Sequence, residues 1–101
     1  MKIVILASGS GTLAQALIDA KFDIKAIVSD VMGAKVLTRG ERAGITTKVI
    51  QFRKPRSEWD AELLDYVSQF NPDLVVSAGF MRILSSKFVE RFKVKIGRAH
   101  V

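Results

Sequence analysis

A chain of 101 residues, 49% hydrophobic and 26% charged, is enough for one small domain of ordinary globular composition. No apolar run approaches the ~20 residues that span a bilayer, and the first one, Ile3 to Ala7, is shorter than a signal-peptide core, so a cytoplasmic protein without a membrane partner is expected. The absence of cysteine excludes disulfides, thiolate metal sites and a Cys nucleophile; the net charge of +6 comes mostly from five basic residues set against Glu90 between Lys87 and Arg98, so no nucleic-acid partner is expected.

Taken in chain order, Lys2 to Ala7 (KIVILA) reads as a buried strand ended by Ser8-Gly9. Thr12 to Ala20 reads as a helix with Leu13, Ala16, Leu17 and Ala20 on one apolar face. Ile24 to Ser29 is a second strand. Ala34 to Ala43 is a weaker helix, because Gly40 inside it costs about 1 kcal/mol relative to Ala, and Gly44 is a natural stop. Thr47 to Ile50 is a third strand. After the polar loop Arg53-Lys54-Pro55-Arg56, a helix capped by Ser57 carries Trp59, Leu63, Val67 and Phe70 on one face and ends before Asn71-Pro72. Trp59 reads as a core anchor of this helix. Leu74 to Ser77 is a fourth strand, and Ser85 or Ser86 opens a short helix with Phe88, Val89 and Phe92.

The order β-α-β-α-β-α-β-α implies an α/β fold: a Rossmann-like parallel sheet with helices on both faces and right-handed crossovers. In such sheets ligands bind at the carboxyl ends of the strands, near the point where strand order reverses. Two loops fall at strand ends and have unusual composition, residues 8–12 and 78–84.

The first of these, Ser8-Gly9-Ser10-Gly11-Thr12, runs directly from strand to helix. Glycines allow close backbone approach. The N–H groups at a helix start have no intrahelical partner and the dipole there favours an anion, so a phosphate is the natural guest. Which phosphate compound is left open. Residues 9–14 satisfy G-x-G-x-x-A, and Asp30 follows the second strand where a ribose-binding acid would sit, so taken alone these residues fit a dinucleotide-binding module. A nucleoside triphosphate P-loop is not expected, since no Gly-Lys-Ser/Thr follows.

The second loop narrows the choice. Ser77-Ala78-Gly79-Phe80-Met81-Arg82-Ile83-Leu84 resembles the segment lining the folate pocket of phosphoribosylglycinamide formyltransferases. Residues 1–20 resemble the start of that family, and Arg56-Ser57-Glu58-Trp59-Asp60 resembles its Ser-Arg-Glu-aromatic-Asp segment. The resemblance runs from residue 1 to about residue 92. It implies the N-terminal part of the formyltransferase fold, truncated, in an enzyme that moves a formyl group from 10-formyltetrahydrofolate to the amine of phosphoribosylglycinamide in purine synthesis. By position, Gly11, Thr12 and Leu13 would hold the substrate phosphate. Many relatives carry Asn at the third of these positions, where Leu13 offers only its backbone N–H. Arg56, Met81, Arg82, Ile83 and Leu84 would contact the folate, the apolar ones against its pterin ring. Asp30 has no assigned role under this resemblance, and no metal is implied.

Attack by an amine on a formyl carbon needs an oxyanion stabiliser and a proton carrier. The family supplies them from an Asn-x-His-Pro motif and a later Asp, neither of which is present. His100 falls near the offset of the family histidine, but Arg98 stands where Asn is expected and Val101 where Pro is expected. The six residues from Ile96 to Val101 are also one reading-frame translation of a common sequencing-adapter sequence. The expected division is therefore a partial formyltransferase domain over 1–95 and a non-native tail over 96–101, with no catalytic residue assigned. The fourth strand is expected to lack a neighbour on one side, and the chain alone to be marginal or insoluble and without transferase activity. The alternatives are a formyltetrahydrofolate hydrolase, a methionyl-tRNA formyltransferase, the dinucleotide module, and a fragment that only binds ligand.

Overall fold

The most apolar runs of the chain become the middle of a sheet. The computed structural model describes residues 1–97. Its strands are β1 (Lys2–Leu6), β2 (Asp23–Ser29), β3 (Thr46–Val49), β4 (Leu74–Ala78) and β5 (Val94–Gly97), all parallel, in the order β3-β2-β1-β4-β5. Four helices connect them: α1 (Thr12–Asp19), α2 (Lys35–Arg42), α3 (Arg56–Ser68) and α4 (Ser86–Arg91). Parallel neighbours need such crossovers. Because β1 lies between β2 and β4, the chain winds outward to β3 on one side and then returns to the other, which places the reversal of strand order between β1 and β4.

Alternation along β1 divides the core in two. Ile3, Ile5 and Ala7 face α1 and α2, with Ala14, Ile27, Val36, Leu37 and Val76. Val4 and Leu6 face α3 and α4, with Trp59, Leu63, Val67, Phe88 and Phe92. The register sets Leu6 beside Val28 and Ser77, so the three central strands end level with one another.

Several local expectations are corrected. The inner face of α1 is Ala14 with the half-buried Leu13, Leu17 and Ile18; Ala16 and Ala20 lie outside, because the helix packs toward α2 as well as the sheet. Ser57 does not cap α3, whose flanking residue is Pro55, already extended at φ −73°. Ser85 does cap α4, accepting from the Phe88 N–H at 3.2 Å. Val89 is exposed, and Phe88 and Phe92 carry that helix's contact with the core. Gly40, unfavourable for helix propensity, is explained by packing: a Cβ there would lie 2.8 Å from Thr47 Cγ2 and 2.9 Å from Ile27 Cδ1, so only glycine lets α2 lie this close to β2 and β3.

The fourth strand is not left without a neighbour. Val94–Gly97 form β5, which pairs with β4 from Val75↔Val94 to Ala78↔Gly97. Ile96 and Gly97, expected in a tail, are thus part of the sheet's main-chain ladder, while Arg98, His100 and Val101 lie outside the described residues. The open edges among the described residues are β3 and β5. No helix among them is long and apolar enough to cross a membrane.

Trp59 is the largest side chain with no solvent exposure, and its Nε1–H donates to the Ile50 carbonyl at 3.0 Å. Replacing Trp59 by Phe leaves that carbonyl unpaired and opens a void. The expected result is a loss of about 1–3 kcal/mol in urea denaturation followed by circular dichroism; an unchanged midpoint would show that the indole does not anchor α3.

Candidate functional site

The loop after β1 is shaped by its carbonyls. Gly9 O accepts from the Val36 N–H at 3.2 Å, Ser10 O from Arg39 Nε at 2.7 Å, and Gly11 O from the Gln15 N–H at 2.8 Å. All three carbonyls are thereby turned toward α1 and α2. Among the described residues, no N–H from Gly9 to Leu13 has a protein acceptor. Five consecutive donors at a helix start are an anion-binding arrangement. Gly11 is required for it: φ is +78°, and a Cβ would fall 2.5 Å from Val36 Cγ2 and 2.9 Å from Val36 Cα. Gly9 to Leu13, together with Ala78 and Gly79 from the end of β4, line a cleft of about 170 Å³. The sequence-expected phosphate residues Gly11, Thr12 and Leu13 therefore share one concavity, and it lies at the reversal of strand order.

Asp30, just past β2, bonds to residues of both loops. Its side chain is only 1% exposed, and both oxygens are taken: Oδ1 accepts from Ser8 Oγ at 2.5 Å, and Oδ2 from Arg82 Nε at 3.0 Å. Ser8 Oγ in turn accepts from the Met81 N–H at 2.7 Å. A buried carboxylate needs such partners. Buried in this way, it is out of reach of a ribose hydroxyl in the cleft, which argues against the dinucleotide reading of Asp30.

The loop after β4 presents the folate candidates in different ways. Met81 and Ile83 are each 78% exposed, so neither is core. Leu84 is half-buried against the Trp59 side of the sheet. Phe80 lies nearly parallel to the Trp59 ring with centroids 6.2 Å apart, which anchors the start of the loop. Arg82 points back to Asp30 and stacks over Phe52 at 4.2 Å. Arg56, at the start of α3, pairs with Asp60 at 3.4 Å and also lies over Phe52, at 5.9 Å. Phe52 thus brings Arg56 and Arg82 together across 26 residues of sequence, under a partly exposed cationic surface.

Three contributors were missed by sequence reasoning: Phe52, Arg39 and the Ser8–Asp30 pair. Neither Phe52 nor Arg39 belongs to a motif that marks it in the sequence. Asp30 did carry a signal, an acid directly after a β-strand, but it suggested a different ligand.

Residues 1–100 match the family described as Formyl transferase. The chain is 38% identical over 108 residues to the phosphoribosylglycinamide formyltransferase of Escherichia coli K12, covering 99% of this chain and 51% of that protein. It is 37% identical over 108 residues to the trifunctional purine biosynthetic protein adenosine-3 of Gallus gallus, covering 99% of this chain and 11% of that protein. Among solved structures, the phosphoribosylglycinamide formyltransferase of Coxiella burnetii superposes with a TM-score of 0.89 at 32% identity, over 97% of this chain and 50% of that one. The chain spans about half the length of the bacterial relatives it matches.

Replacing Gly11 by Ala should both strain the left-handed turn and collide with Val36. The expected cost is about 2 kcal/mol or more, read as a lowered thermal midpoint, and inorganic phosphate should no longer raise that midpoint. Wild-type stability with phosphate protection intact would remove the glycine loop from the site.

Proposed function

The chain belongs to the formyl transferase family, and from that premise we propose that it forms the ligand-holding half of a pocket that moves a formyl group from 10-formyltetrahydrofolate to phosphoribosylglycinamide. The observation that carries this reading is the shared cleft of about 170 Å³, in which the donors of residues 9–13 face the end of β4. Gly11, Thr12 and Leu13 hold the substrate phosphate through main-chain N–H groups and the Thr12 hydroxyl. The exposed Met81 and Ile83 and the half-buried Leu84 offer an apolar surface for the pterin, and Arg56 and Arg82 offer charge to the anionic end of the folate. The folate supplies the formyl carbon.

The two loops position reactants without supplying a proton carrier. The residues lining the cleft are glycines, Ser10, Thr12, Leu13 and Ala78, none of which titrates near neutral pH. His100 lies outside the described residues. Binding without turnover is the expected behaviour of the 101-residue chain.

The dinucleotide reading is disfavoured by Asp30, whose carboxylate is buried and turned to Ser8 and Arg82. The family's hydrolases and tRNA-directed enzymes remain a second reading for the folate loop. The donor-rich glycine loop favours a substrate that carries a phosphate.

Isothermal titration with phosphoribosylglycinamide, a stable reduced folate and NAD separates these readings. Heat is expected from the first two and none from NAD, and Arg56→Ala should weaken the folate about tenfold, the loss of one charge-assisted hydrogen bond. Formyl transfer by the chain itself should be undetectable. Saturable NAD binding without folate binding would overturn the reading.

A further inference from the structure

The two loops are joined by a single buried group. Asp30 sits at the end of β2 and belongs to neither loop, yet one of its oxygens holds Ser8, at the start of the glycine loop, and the other holds Arg82, within the folate loop. Ser8 passes the connection on, since the hydroxyl that donates to Asp30 also accepts from the Met81 N–H. The folate loop is thus tied at two successive residues, Met81 by its main chain and Arg82 by its side chain. At its front, Gly79 has φ +71° and lines the phosphate cleft. Arg82 is 40% exposed and stacked on Phe52, so its pair with Asp30 can be broken from the solvent side without opening the core.

We propose that Asp30 is a positioning residue that couples the glycine loop to the folate loop, so that an anion bound at residues 9–13 fixes the placement of residues 81–83. This rests on the assignment of the two loops made above. The charge matters because an amide has only one oxygen. In Asp30→Asn either Ser8 or Arg82 loses its acceptor, and an amide nitrogen facing Ser8 competes with Met81 for the hydroxyl's lone pairs. Occupancy of one loop then no longer reports to the other.

The test uses the full 101-residue chain, labelled with nitrogen-15, with inorganic phosphate as the probe. In the wild type, phosphate should shift the amide signals of residues 9–13, which line the cleft, and also those of 81–83, which do not, and the Met81 amide should be protected from hydrogen exchange. In Asp30→Asn the shifts at 9–13 should persist, those at 81–83 should vanish, and Met81 exchange should rise about tenfold or more. Arg82→Gln, which breaks the same pair from the exposed side, should also uncouple 81–83 and serves if Asp30→Asn does not fold. A purely structural Asp30 would lower the melting temperature and leave the transmitted shifts in place, and that result overturns the proposal. If phosphate shifts no signal in the wild type, the phosphate-loop assignment fails instead, and Met81 exchange alone then decides whether the tie exists: unchanged exchange in the variants overturns it.

Discussion

Parallel pairing of β1 with both β2 and β4 is the constraint on which the rest of the molecule depends. A parallel ladder cannot be closed by a hairpin, so every strand must be followed by a helix that carries the chain back along a face of the sheet. Because β1 has its successor β2 on one side and the later β4 on the other, the connections leaving these strands diverge. The loops after β1 and β4 are left side by side with no helix lying over the gap between them. The cleft is a consequence of strand order before any side chain is considered. The side chains then decide what it holds.

Around that cleft the polar groups are arranged with little redundancy. The three carbonyls of the glycine loop are used internally, by α1, by α2 and by Arg39, and this leaves the N–H groups outward. The Asp30 carboxylate is removed from water, with each oxygen accepting one hydrogen bond. Burying a charge is costly unless it is paired and hydrogen-bonded, so such a group marks a place where geometry has been favoured over a simpler apolar filling. Here it spans three segments that are distant in sequence.

Two glycines show the same interplay between backbone and packing. Gly11 is needed for its left-handed turn and again because Val36 occupies the place of any Cβ. Gly40 weakens its own helix but allows α2 to approach Ile27 and Thr47. That close approach carries Val36 and Arg39, on the same helix, to the glycine loop. A local propensity penalty of about 1 kcal/mol is offset by contacts on which the loop depends.

The sequence by itself determined the strands β1, β2 and β4, because continuous apolar runs of this length have few other uses, and it determined α3 from the recurrence of Trp59, Leu63 and Val67. It placed both loops at strand ends, and the residues of the second loop pointed to the family. It did not reveal β5: Val94, Lys95 and Ile96 sit in a basic stretch with no distinctive apolar run, and only the exposed ladder of β4 makes them a strand. Nor did it reveal the duty of Asp30, whose partners lie 22 and 52 residues away, or the meeting of Arg56 and Arg82 on Phe52. Periodicity records how a segment partitions between core and water, which is a local property of the chain. Which polar side chains meet is set by strand order and helix placement, and those exist only once the sheet has closed.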